Sequence, residues 1–308
     1  MWKQAALRWW RITLDAGRLW LDSNAFSHAG SLAFYTLFSL APTVIIAVAV
    51  IGIVLGEEAA QGQIVAQLQD VMGHPAAVAV EQAVARSRIR ESGLLPTVLG
   101  IGALLMGATT VFAQIQYSLN TIWGVAARPD RGSVRTFIRN RLLSLTVVLS
   151  IGFVLLVSLL LGVVLRAALQ FTHQFVPAVA ALLSGTELVV SLVVVALLFG
   201  AIFKVLPDVV LRWRDVALGA LVTAVMFSIG RYAIAAYLAY TATASTYGAA
   251  GSVVLVLLWV YYSSLILLFG AAFTRTCLQA SGLAVVPRNS AVLVHRELVV
   301  ERPGPAGR

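Results

Sequence analysis

The sequence predicts an all-α, polytopic membrane helix bundle of six transmembrane helices with both chain ends on the cytoplasmic side. Three observations predict it. The first is composition: of 308 residues 60% are apolar and 11% charged, with a mean hydropathy of +0.91. A soluble domain carries about 25% charged residues because its surface must be wet, so this chain has too little charge to cover a globule in water. The second is the length of its uncharged runs. Ser23–Gly56, Ser92–Ala127, Leu142–Leu165 and Tyr232–Thr274 contain no Asp, Glu, Lys or Arg, and one span needs only about 20 apolar residues. The third is where the charge sits. Of the 22 Lys and Arg, seventeen fall in the N-terminal segment, the second and fourth connections and the C-terminal tail, against four in the other connections. Basic residues are retained on the cytoplasmic side.

Residues 1–28 read as an interfacial amphipathic helix. Leu7, Trp10, Leu14 and Leu21 form one apolar face beside Arg8, Arg11, Asp15, Arg18 and Asp22. Arg11 with Asp15 and Arg18 with Asp22 stand at i,i+4 pairing distance. Trp2, Trp9, Trp10 and Trp20 suit the head-group level. No continuous apolar core of signal-peptide type and no small-residue cleavage site occur here.

Residues 29–275 form the membrane domain, with spans at about 30–55, 95–120, 142–165, 186–206, 216–240 and 248–273. The fourth and fifth are long enough only if Glu187, Lys204 and Arg231 are accepted inside or at the edge of the membrane, where each charge costs about 2.5–3.5 kcal/mol on insertion scales. The external loop 56–93 reads as two short helices broken near Gly73–His74–Pro75. Residues 276–308 are a cytoplasmic tail.

Polar stripes mark the faces that turn into the bundle, since a polar side chain in lipid needs a partner. His28, Ser31, Tyr35, Ser39 and Pro42 line one face of the first span. Thr110, Gln114, Tyr117 and Thr121 line one face of the second, with Gln116 and Asn120 beside them. Two readings stay open: hydrogen bonding between helices, or a shared, partly wet cavity. Arg231 lies about sixteen residues, roughly 24 Å by helical rise, above the cytoplasmic start of the fifth span. Its expected partner is Glu187 at the outer start of the fourth, either as a structural pair or as a site that attracts an anion. Tyr261 and Tyr262 sit mid-span in the sixth, where a phenol needs an acceptor or a charged neighbour. The basic connection offers Arg128, Arg131, Arg135 and Arg139 as contacts for anionic lipid. Small residues four apart, such as Ser158 with Gly162 and Gly248 with Ser252, point to close helix packing.

Chemistry of other kinds finds little footing. One cysteine, Cys277, cannot form an internal disulfide, and His28, His74, His173 and His295 show no metal-ligand spacing. No cofactor, no nucleic-acid partner and no enzymatic activity are expected.

Three segments resemble the YihY/BrkB family of bacterial inner-membrane proteins: Ala29–Pro42, then Leu206-Pro207-Asp208 with Arg212-Trp213-Arg214-Asp215 and Gly219-Ala220, and Tyr247–Ser252 running through Leu257–Ser263 to Leu268–Ala271. The resemblance covers most of the chain and implies six helices in the inner membrane. Members commonly carry Glu where this chain has Ala272, so no role of that carboxylate carries over. About activity the resemblance implies little: the virulence label of the family is phenotypic, and an older ribonuclease label would require an acid/base pair or metal cluster that the cytoplasmic Asp130, Asp208 and Asp215 do not provide. The residues favour a transporter or permease-like protein handling lipid or a small anion. The alternative is an envelope protein that holds anionic lipid or a membrane partner.

Overall fold

The computed structural model describes residues 2–56, 94–128, 177–240 and 249–294, together with positions 61, 62, 65, 66, 69 and 81. The expected third span at 142–165, most of the external loop 56–93 and the end of the tail lie outside the described residues. What is described is predominantly helical: α1 (Trp2–Asp22), α2 (Ala25–Leu55), α3 (Leu94–Trp123), α4 (Pro177–Val205), α5 (Trp213–Tyr240) and α6 (Ala249–Ala280). Helix α4 begins earlier than its apolar run because Pro177 suits a first helical position. Helix α6 runs past Arg275 into the expected tail, since a charge near a C-terminus does not stop a helix.

An element beyond the all-helical expectation joins two connections. Strands β1 (Val125–Ala127) and β2 (Ala291–Leu293) pair antiparallel, Val125 opposite Leu293 and Ala127 opposite Ala291. Three residues are too few to show the period-two alternation by which a strand is read from sequence.

Helix α6 is the centre of the bundle, packing on α1, α2, α3 and α5, while α2 packs on α3 and α4 on α5. On α4 and α5, besides the residues that enter the core, a further set of large apolar side chains faces outward, unlike in a water-soluble bundle. They stand at helical spacing, Val189, Val193 and Leu197 on α4 and Leu218, Leu221, Val225 and Ile229 on α5. Small ones, Gly219, Ala220, Thr223 and Ala224, face inward on α5. Lipid tails solvate the outer stripe, and small residues inside let backbones approach. Two described stretches, Trp213–Ile234 and Val253–Ala280, are long and apolar enough by length and composition to cross a membrane, with mean hydropathies of 1.6 and 2.3.

The α5–α6 crossing shows what the small residues are for. A methyl group on Gly219 would overlap the Thr274 hydroxyl, and one on Gly270 would overlap that of Thr223. Each threonine donates its hydroxyl to the carbonyl of the glycine four residues earlier on its own helix, Thr223 to Gly219 at 2.6 Å and Thr274 to Gly270 at 2.7 Å. Two buried Gly-x-x-x-Thr steps therefore interlock antiparallel, each hydroxyl satisfied within its helix and seated in the gap left by the other helix's glycine. Further along, a methyl on Gly230 would strike the ring of Tyr262.

One end of the bundle gathers the C-termini of α3, α4 and α6, the N-terminus of α5 and all of α1. The main core lies toward this end, with Leu119, Trp123, Phe203, Val216, Leu268 and Ala271 at its centre. Helix α1 turns into α2 through Ser23 and Asn24, the latter at φ 53°, a left-handed conformation that Asn tolerates. Ile12 and Ala16 bury α1 against Phe273 of α6, and the Trp20 indole donates to the Leu265 carbonyl at 3.2 Å. Trp20 is thus tied into the bundle, whereas Trp9 and Trp10 are exposed. Asp15 pairs with Arg18 at 3.5 Å and not with Arg11; one carboxylate has two basic neighbours in reach, and the i,i+3 rotamer serves the later one. At the start of α5, Asp215 accepts the backbone N–H of Arg212 at 2.9 Å and its guanidinium at 3.2 Å. This hydrogen bonding holds the Asp215 carboxyl below the usual carboxylate range.

Candidate functional site

The polar stripes of the first two spans reach different ends. Ser31 donates to the Ser27 carbonyl at 3.0 Å, Ser39 to that of Tyr35 at 2.7 Å, and Thr110 to that of Met106 at 2.6 Å. These hydroxyls return to their own helices, as hydroxyl side chains in apolar surroundings do. Between α2 and α3 the described bridge is His28 Nδ1 with the Ser118 hydroxyl at 3.1 Å, over which the Tyr117 ring lies 5.6 Å from that of His28. Tyr35 and Tyr117 are exposed, and Gln114 is half-buried.

Farther along α5 a second group stands near Arg231, which is half-buried, with Tyr232 exposed. Its guanidinium donates to the Tyr232 hydroxyl at 3.4 Å and stands 5.1 Å from that ring's centre. Tyr262 packs over Gly230, one residue away. Next to Tyr262, the buried Ser263 hydroxyl has no hydrogen-bond partner among the described residues. Tyr261 packs instead into the apolar core. The side chain of Glu187 lies outside the described residues, as do Arg131, Arg135 and Arg139; Arg128 is exposed and its backbone N–H donates to Ser290 at 3.0 Å.

The most extensively bonded polar cluster lies at the basic end. Asp208, in the α4–α5 connection, accepts Asn120 Nδ2 at 2.8 Å and Gln116 Nε2 at 3.2 Å on one oxygen and the Ser290 hydroxyl at 3.2 Å on the other. Its backbone N–H donates to Asn120 Oδ1 at 2.8 Å, and its carbonyl accepts from Arg288 N at 2.8 Å. One carboxylate thereby joins α3, the α4–α5 connection and the segment after α6.

Arginines close the helix ends around it. Arg288 donates to the carbonyls of Lys204 at 3.0 Å, Val205 at 3.3 Å and Val209 at 3.2 Å, covering the C-terminus of α4. Arg275 donates to the Ile122 carbonyl in the last turn of α3, passing Gly124, whose φ of 67° marks a left-handed helix end. Arg8 donates to the Ala280 carbonyl at the end of α6 at 3.3 Å. Each of the three C-termini at this face carries the negative end of a helix dipole and unpaired carbonyls, and each receives a guanidinium from a distant part of the chain. Arg288→Lys retains the charge but not the planar fork that reaches three carbonyls. It is expected to lower stability by about 1–2 kcal/mol, read as an earlier thermal unfolding midpoint in detergent, with Arg288→Ala lower still.

In the sequence Gln116 and Asn120 stand out only as neighbours of a stripe, Arg8 as part of the amphipathic helix 1–28, and Arg275 and Arg288 only as orienting charge. The signal available was an Asp between two apolar spans together with two amide side chains near the end of a third.

Comparison with known proteins bears on what this assembly belongs to. A UPF0761 membrane protein of Azotobacter vinelandii is 29% identical over 277 residues, 86% of this chain and 62% of the relative. One of Tolumonas auensis is 29% identical over 182 residues, 58% and 57% of the two chains, and one of Photobacterium profundum 26% identical over 249 residues, 80% and 75%. The chain thus spans less than two thirds of the length of the first two of these relatives. No solved structure matches. The model of the family described as "Virulence factor BrkB" matches residues 18–290, from the end of α1 through the Arg288 and Ser290 contacts. The chain belongs to the BrkB family of membrane proteins.

Proposed function

We propose that the protein crosses the bacterial inner membrane six times with both ends in the cytoplasm, and that it is a permease-like, non-enzymatic protein moving an anionic lipid or small anion past Arg231. The topology is supported by the basic end of the bundle. The start of α2, the end of α3, the end of α4, the start of α5 and the end of α6 meet there with α1 and the capping arginines, as alternating spans require.

The observation that carries the functional reading is Arg231. Within an apolar helix it is engaged by a phenol, and among the described residues no carboxylate neutralises it. A charge so placed can serve an anion, near Tyr262, which packs over Gly230, and the Ser263 hydroxyl, which has no partner among the described residues. Glu187 and Arg231 each lie about 27 Å by helical rise from the basic ends of their helices, and these helices pack together. In this reading Glu187 is the resting counter-charge that an entering anion displaces. Arg231→Leu is expected to lower flux of a small anion or scrambling of an anionic lipid in proteoliposomes by about tenfold, the effect of losing roughly 1.4 kcal/mol of anion stabilisation. Arg231→Lys should keep most of it. Unchanged flux in Arg231→Leu contradicts the reading.

A second reading, an envelope protein that holds anionic lipid, is favoured by α1. Leu7, Trp10, Leu14 and Leu21 are all exposed on one face beside its arginines.

A further inference from the structure

Helix α1 has three faces. At 100° per residue, Ile12, Ala16 and Trp20 point into the bundle, while Leu7, Trp10, Leu14 and Leu21 fall within an arc of about 60° on the far side. Between these faces lies an open groove of about 710 Å³, walled by α1 and the last turn of α6. Arg8 and Arg11 line it from α1, Thr276 and Gln279 line it from α6, and Leu7 stands where it meets the exposed apolar face.

The charges in the groove are unequally used. Arg8 leans on the Ala280 carbonyl at 3.3 Å and so covers the negative end of α6. Asp15 also lines the groove, but its carboxylate pairs with Arg18. Arg11 is left exposed, and none of the ion pairs among the described residues includes it. The Thr276 hydroxyl donates to the Ala272 carbonyl at 2.9 Å, so two guanidinium groups and the Gln279 amide remain; such a groove, opening onto a row of exposed Leu and Trp side chains, matches a molecule with a phosphate at one end and a hydrocarbon chain at the other. A free anion would leave the apolar row uncovered.

We propose that this groove binds the headgroup of an anionic phospholipid, its phosphate between Arg8 and Arg11 and an acyl chain along Leu7, Trp10 and Leu14. The proposal deepens the lipid-holding reading of α1 and is independent of transport past Arg231. It differs from general attraction to a charged surface in depending on particular arginines.

Native mass spectrometry of the full chain released from nanodiscs tests it, with phosphatidylglycerol against phosphatidylethanolamine of the same acyl chains. The unaltered chain should retain phosphatidylglycerol preferentially. Arg11→Gln should reduce that preference about five-fold and Arg8→Gln with Arg11→Gln about twenty-five-fold, as the usual contribution of one basic residue at an anionic surface gives. Arg214→Gln removes the same charge at an exposed position outside the groove, without freeing a carboxylate within it, and should leave the preference within about two-fold. Arg11 contacts no other described side chain by hydrogen bond or ion pair, so its variant retains the fold; an unchanged thermal midpoint verifies this. Equal losses in Arg11→Gln and Arg214→Gln would overturn the site in favour of general surface attraction. Displacement of the lipid by millimolar inorganic phosphate would overturn the lipid assignment in favour of a free-anion site. Because retained lipid is read directly, loss of flux in Arg231→Leu leaves this result untouched.

Discussion

Gly219→Val and Gly270→Val should each lower the thermal unfolding midpoint of the purified protein more than substitutions on the outer face of the same helices. Each side chain would occupy the space of a threonine hydroxyl on the opposing helix. The threonines cannot rotate away freely, because their hydroxyls are bonded to the carbonyls of Gly219 and Gly270. The helices must then separate, at a cost of about 1–3 kcal/mol per site for overpacking. Leu221→Val and Val225→Leu, on the exposed stripe of α5, serve as controls that should change little. Gly270→Ala with Thr223→Ala should recover part of the loss of Gly270→Ala, because the overlapping hydroxyl is gone while Phe203 still lies close. Equal midpoints for inner and outer substitutions would contradict this account of the crossing.

Asp208→Ala should have an effect of similar size, in the α4–α5 connection just before α5. It removes the shared acceptor of Asn120, Gln116 and Ser290, leaving Asn120, which is 8% exposed, with an unpaired amide. The expected loss is about 2–4 kcal/mol, since bonds to a charged acceptor contribute more than neutral ones and an orphaned buried donor adds its desolvation cost. The segment after α6 should loosen with it, because Ser290 loses its side-chain partner. Limited proteolysis should cut between residues 281 and 294 sooner than in the unaltered chain. Asp208→Asn should fall between the two, as its oxygen can still accept from Asn120 and Gln116 and its amino group can donate to the Ser290 hydroxyl, while the charge that strengthened these bonds is lost. Unchanged cleavage and midpoint in Asp208→Ala would show that the cluster is dispensable.

The helices, their crossing and the polar cluster are legible in the sequence to different degrees. Helices α2, α3 and α6 follow from uncharged runs, since the cost of charge in lipid is paid residue by residue and needs no knowledge of neighbours; α5 follows only once Arg231 is accepted within it. The apolar face of α1 follows in the same way from helical periodicity. The Gly-x-x-x-Thr steps are visible on each helix as small residues four apart, but which helix faces which is a property of the assembled pair. Spacing alone marks Gly248 with Ser252 as readily as Gly219 with Thr223. Asp208 and its partners were harder still: Asn120 and Ser290 lie more than eighty residues away on either side. The arginines were read as charge that orients the chain, and a count of charge does not reveal that three of them terminate helices. Both roles have one origin. A helix that ends on the basic side presents a negative dipole there, so a guanidinium retained on that side has carbonyls to bind.

The central claim is that α1, the α4–α5 connection and the segment after α6 form one assembly on the cytoplasmic side of an even number of spans. The most direct measurement is labelling of single cysteines at Gln4, Arg214 and Asn289 in a Cys277→Ala background, using a membrane-impermeant maleimide on intact cells and then on cells with a permeabilised inner membrane. The account predicts that all three react only after permeabilisation. Labelling of any one of them in intact cells with a sealed inner membrane would contradict it, because the three positions could not then share a face.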